Sequence, residues 1–169
     1  YPAGEVWSHL MQTVLPGYIA NTLVLAALTA AGTFLVGVGA AWATTMLDFP
    51  GRRWLTWALV LPLAAPAYVV AYALADFFQA AGPAQGWLRA ATGWSVGDYW
   101  FPEIHSLQGA ALIFVATLYP YVYLLARSAF LQQSAAALDV ARTLGLGPWR
   151  VFWKVALPLA RPAIAGGVA

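Results

Sequence analysis

The 169 residues are 62% hydrophobic and only 8% charged, where an ordinary soluble domain carries about 25% charged residues. So short a chain cannot hide that much apolar surface in a core, which excludes a soluble globular enzyme, and disorder needs the opposite composition. A formal charge of +2 is too small for a nucleic-acid footprint, and the lack of cysteine excludes disulfides, thiolate metal sites and thiol catalysis. The remaining solvent is lipid. The apolar runs do not alternate with polar residues as barrel strands do, so the composition predicts an all-α integral membrane protein.

In chain order, the sequence opens on Tyr1 with no charged leader and closes on an apolar run, and reads as a piece of a longer chain. In segment 1–18, Val6, Leu10, Val14 and Tyr18 recur every four residues, which predicts a short amphipathic helix on the outer membrane surface. The first span, 19–47, holds no charged residue and suffices for a hydrocarbon core of about 30 Å. Its Gly32, Gly39 and Ala43 fall on one face, where small residues let a neighbouring helix approach. Asp48, Pro50 and Gly51 mark a tight turn. The second span, 54–78, contains Pro62 and Pro66. A glycine-punctuated outer loop follows over 82–106, and the third span occupies 107–131. The segment 134–157 is too charged to cross. A fourth span starts at 158 and, by 169, reaches about 18 Å, too short to cross.

Orientation follows from the basic residues. Arg52, Arg53, Arg127, Arg142, Arg150, Lys154 and Arg161 all flank the first-to-second and third-to-fourth connections, whereas the opposite side has only Arg89. The positive-inside rule places the two basic connections in the cytoplasm and the loop 82–106 outside.

Within the spans, Asp76 is the most embedded acid, a candidate pathway residue or a wetted interfacial carboxylate. Pro120, in Leu118-Tyr119-Pro120-Tyr121, removes a backbone hydrogen bond and can kink its helix. Pro120 and Tyr121 are therefore candidate gate or pathway residues, although such kinks also occur in static bundles. Arg127 can snorkel to the headgroups. Trp54, Trp57, Trp94 and Trp100 lie near predicted boundaries and read as interfacial anchors. Glu103 and His105 are possible hard-metal ligands but make too small a set, and no metal or catalytic site is assigned.

The segment 134–157 carries the strongest signal. Ser134 can cap a helix, residues 135–144 favour one, Gly145 and Gly147 can stop it, and Pro148 suits the first position of another. Leu138, Ala141 and Leu144 share a face of the first helix, which calls for a groove on a partner or for the membrane surface. Asp139-Val140-Ala141, three residues, Gly145, nine residues, then Val155-Ala156-Leu157-Pro158 resembles the EAA loop of binding-protein-dependent ABC importer permeases, whose pattern is E-A-A, three residues, G, nine residues, I-x-L-P. Asp139, Val140 and Val155 depart from it but keep charge or apolar character. Asn21-Thr22-Leu23, Phe49-Pro50-Gly51-Arg52-Arg53 and Leu61-Pro62 add to the likeness. The run from Leu118 to Arg127 resembles the iron(III)-type branch, whose permeases fuse two halves in one chain.

The resemblance implies a partial type I ABC importer permease fold. It implies that Leu138, Asp139, Ala141, Arg142, Leu144 and Gly145 form the coupling helix and turn that dock on cytoplasmic ABC ATPase subunits. It also implies an extracytoplasmic solute-binding protein, touched by Arg89, Asp98 and Glu103, and a second permease half, all in a bacterial-type inner membrane. The chain has a single lysine, Lys154, preceded by Trp153, and so has no P-loop. It is expected to bind no cofactor itself, with ATP and Mg on the partner ATPase, and not to be an enzyme. The expected solute is iron(III). Thiamine, sulfate, polyamine or phosphonate are the alternatives within the superfamily, and a gradient-driven secondary transporter is the alternative outside it.

Overall fold

The computed structural model describes residues 9–133, 143 and 145–168, and every regular element among them is helical. A π-helical turn at Leu10–Val14 runs directly into α1 (Leu15–Met46), making one rod over Leu10–Met46. Then come α2 (Arg52–Ala58), a 3-10 turn (Leu61–Ala64), α3 (Ala67–Phe78), α4 (Pro83–Thr92) and α5 (Leu107–Gln132). The last rod joins α6 (Pro148–Val151), a π-helical turn (Phe152–Ala156) and α7 (Leu157–Val168) without a break.

Both π turns have the same cause. Each ends two residues before a proline, Pro16 or Pro158. A proline lacks the N–H and its ring crowds the carbonyl one turn back. The wider turn relieves that clash: Leu15 donates to the Leu10 carbonyl and Leu157 to that of Phe152, five residues back in each case. Two expectations change as a result. Residues 9–18 do not form a separate surface helix but continue into α1, and Pro158 lies inside the last rod rather than opening it.

The second span is not one straight helix. Pro66 forces Ala65 into extended backbone, with φ −112° and ψ 148°, and the segments Arg52–Ala64 and Ala67–Thr92 meet at 101°. Among the described residues two helices, the α1 rod and α5, are long and apolar enough to cross a membrane, and a third crossing exists if the bent pair counts as one. The bent pair runs the length of α5. At one end, the Tyr123 hydroxyl near the end of α5 donates to the Thr56 carbonyl of α2 at 3.3 Å. At the other, Phe78 stacks on Phe101 with centroids 6.4 Å apart, beside the first turn of α5. From Leu107 to Tyr123 the α5 axis rises about 24 Å, so the pair traverses most of a bilayer core.

The loop 82–106 contains an unexpected helix, α4. Gly82 is extended, Pro83 occupies the first turn, and Gly93 ends the helix at φ 74°. Ser106 then caps α5, its hydroxyl accepting from the Gly109 N–H at 3.1 Å.

The core is a seam between α1 and α5, closed at one end by the last rod. Val38, Ala41 and Trp42 meet Val122, Tyr123, Ala126 and Phe130, against Val151, Phe152, Ala156, Leu157, Ala160 and Ile164. Close approach falls on Gly32, where a Cβ would collide with Val115, and on Gly37, where it would lie 2.8 Å from Val122 Cβ. Gly39, expected to share this role, has nothing within 4 Å. The buried Thr33 and Thr117 hydroxyls bond back along their own helices, to the Thr29 carbonyl at 2.8 Å and the Ile113 carbonyl at 3.0 Å, so neither is stranded in an apolar setting.

Candidate functional site

The elbow before the last rod is the most constrained feature of the charged segment. Gly145 has φ 78°, a left-handed conformation that glycine adopts without steric cost. Two residues later the Gly147 carbonyl accepts from the N–H groups of Arg150 at 2.9 Å and Val151 at 3.0 Å, which starts the rod at Pro148. Of the coupling residues expected from sequence, Gly145 alone is described. Leu138, Asp139, Ala141, Arg142 and Leu144 lie outside the described residues.

The rod beyond the elbow is held tightly. Phe152, on the π turn, packs against Trp42 of α1 at 4.9 Å and Phe130 of α5 at 6.5 Å, and Trp42 meets Phe130 edge-on at 5.7 Å. The Gln133 side-chain amide donates to the Ala156 carbonyl at 2.8 Å. Phe152 therefore touches both long helices at once. Sequence reading missed this cluster. Its members are spread from position 42 to 152, and apolar residues in a lipid-adapted chain carry no signal that separates a core ring from a lipid-facing one.

A second node joins α1 to α2. Arg52 Nε donates to the Thr44 carbonyl at 2.8 Å and Nη2 to that of Thr45 at 3.3 Å, two acceptors left free by the end of α1. Its Nη1 pairs with Asp48 at 2.6 Å. The buried Tyr123 hydroxyl lies 3.3 Å from Thr44 Oγ1, so the same node reaches α5. Gly51, at φ 88°, permits the turn between them.

The other expected residues do not share one site. Pro120 is buried in the unbroken α5. Tyr121, beside it, is exposed and lines a groove of about 480 Å³ with Thr22, Thr29, Thr33, Phe114 and Gly167. The Thr29 hydroxyl in this groove is buried and makes no hydrogen bond. Asp76 lies apart on α3, accepting from the Gln79 amide at 2.5 Å. In the outer segment, Arg89 Nη1 donates to the Ala80 carbonyl at 3.0 Å and to the Tyr99 hydroxyl at 3.2 Å, while Asp98 accepts from the Ser95 N–H at 2.7 Å. These two side chains brace their own loop, and Glu103 and His105 border a small cleft beside it.

A lipid-adapted helical bundle with a glycine elbow feeding one rod fits the partial type I permease fold expected from the sequence. Residues 34–169 match the family model of the binding-protein-dependent transport system inner membrane component, and the chain belongs to that family. It is 31% identical over 165 residues to the sulfate transport system permease protein CysT of Escherichia coli (strain K12), covering 98% of this chain and 57% of that one. It is 32% identical over 151 residues to the molybdate/tungstate transport system permease protein WtpB of Thermococcus kodakarensis, covering 88% of this chain and 52% of that one. The putative 2-aminoethylphosphonate transport system permease protein PhnU of Salmonella choleraesuis is 27% identical over 164 residues, covering 96% and 57%. The chain spans little more than half the length of these relatives. They are named for sulfate, molybdate or tungstate, and a phosphonate. The expectation of iron(III) gives way to the sulfate and phosphonate alternatives.

Proposed function

We propose that this chain is part of the permease of an ATP-driven importer for a tetrahedral oxyanion of the sulfate class. Its partners in this reading are a separate cytoplasmic ABC ATPase, which holds ATP and Mg, an extracytoplasmic solute-binding protein, and the rest of the permease. Leu138, Asp139, Ala141, Arg142 and Leu144 form the docking helix and Gly145 its exit turn. ATPase closure pushes the elbow, and Phe152 passes the movement to Trp42 and Phe130. The carrying observation is the rod that the elbow feeds, packed through Phe152 on both long helices, in a chain of this family. The relatives' names support an oxyanion, since sulfate, molybdate and phosphonate share tetrahedral anionic oxygens. Tyr121 and the Thr29 hydroxyl supply neutral donors of the kind that hold such an anion without trapping it, while Asp76 stays outside that groove.

The test is uptake by proteoliposomes holding the full permease with its ATPase and binding protein. Radiolabelled sulfate should accumulate only with ATP inside the ATPase compartment, and unlabelled molybdate should compete. Accumulation driven by an ion gradient without ATP would overturn the reading. So would ATP-driven uptake of ferric ion with none of sulfate.

A further inference from the structure

We propose that the cleft between α2 and the end of α5 binds the headgroup of an anionic phospholipid. The cleft measures about 780 Å³ and is lined by Arg52, Arg53, Arg127, Trp57, Thr56 and Tyr123, among others. Its three arginines have unequal partners. Arg52 is compensated by Asp48 and two carbonyls. Among the described residues, Arg53 and Arg127 make no hydrogen bond or ion pair, and the buried Arg127 Nε has no acceptor. The part-buried Arg127, with its Nε out of water and unpaired, is costly without an anion, and the exposed Arg53 adds a second free cation to the same cleft.

The surroundings select a lipid over a free anion. A second cleft of about 400 Å³ adjoins the first, sharing Arg53 and Trp57, and is walled by Trp54, Ala58 and Leu61. Trp54 and Trp57 are 80% and 74% exposed, and Leu61 is 64% exposed. A basic pocket continuous with an uncovered aromatic and aliphatic shelf fits one molecule that carries a phosphate and an acyl chain together. Sulfate or glycerol phosphate could satisfy the arginines but leaves the shelf bare. On the positive-inside reading this lipid belongs to the cytoplasmic leaflet, whatever solute the importer carries.

The experiment delipidates the full permease complex, adds back phosphatidylglycerol or phosphatidylcholine of matched chains, and counts retained lipid by native mass spectrometry. Phosphatidylglycerol should be retained about 25-fold more tightly than phosphatidylcholine, the two free cations each contributing about fivefold. Arg53→Gln, at an exposed position, should lower that preference about fivefold while the complex elutes as wild type. Trp57→Ala should weaken both lipids alike. Added glycerol phosphate should leave the bound lipid in place. Equal retention of the two lipids, an unchanged preference in Arg53→Gln, or displacement by glycerol phosphate as effective as by phosphatidylglycerol would each overturn the proposal.

Discussion

A single backbone angle decides what can replace Gly145. At φ 78° a side chain strains the backbone, yet a Cβ there would meet nothing within 4 Å. The cost is therefore conformational and not steric, about 1–2 kcal/mol for an ordinary residue, and smaller for asparagine, which tolerates the left-handed region. Substitutions should rank accordingly, with Gly145→Asn near wild type, Gly145→Ala intermediate and Gly145→Val worst. Copurification of the ATPase with the full permease and the rate of ATP-driven uptake give the readout, with membrane insertion unchanged throughout. A Gly145→Asn variant as damaged as Gly145→Val would show that side-chain bulk against the partner, and not the turn, sets the requirement. The motif spacing exposed this residue in the sequence, because a glycine between two helix-forming runs has a local physical meaning. Arg52 was less legible. Its basic charge spoke only for orientation, and its capping of the α1 carbonyls depends on a turn geometry that Gly51 makes possible.

Among elements, the long apolar runs were easy to read and their interruptions were not. Length and composition suffice for α1 and α5, since lipid demands about 20 apolar residues whatever they pack against. Prolines need context. Pro66 breaks the second span into arms at 101°, Pro16 and Pro158 are absorbed by π turns, and Pro120 sits in an unbroken helix. One residue type thus gives three outcomes, chosen by whether the lost hydrogen bond and the crowded carbonyl can be accommodated by a wider turn. α4 was hidden because Gly82, Gly93 and Gly97 read as loop, although Gly82-Pro83 and Gly93 are also the boundary signals of a helix. The packing glycines were half legible. Small residues marked α1 as a helix for close contact, but which of them faces α5 depends on the neighbour. Gly37→Leu should force the α1–α5 seam apart and cost about 1–3 kcal/mol, seen as a lower melting temperature of the purified permease in detergent. Gly39→Leu, with open space around it, should melt within a degree or so of wild type on the same argument. Equal effects at both positions would contradict the seam as described.

At the scale of the whole chain, the number of crossings decides which loops share a compartment, and the bent segment is the point at issue. If Arg52–Ala64 and Ala67–Phe78 formed a re-entrant hairpin, the turn at 47–51 and the segment 93–106 would open on the same side. The packing argues against that. α2 is tied to Tyr123 near the last turns of α5, while Phe78 meets Phe101 next to its first turn, about 24 Å away along the α5 axis. The charge distribution agrees: a crossing gathers seven of the eight basic residues on one side, whereas a hairpin would scatter them. The absence of native cysteine gives a clean labelling background in this part of the protein. In the full permease, single cysteines placed by Pro50→Cys and Ser95→Cys, both at exposed positions, should react with a membrane-impermeant maleimide from opposite sides. Ser95→Cys should label in intact cells, and Pro50→Cys only after the membrane is opened. If both label together from one side, the bent segment is re-entrant, the elbow at Gly145 falls on the side opposite the Arg52 turn, and an ATPase could not reach both basic connections.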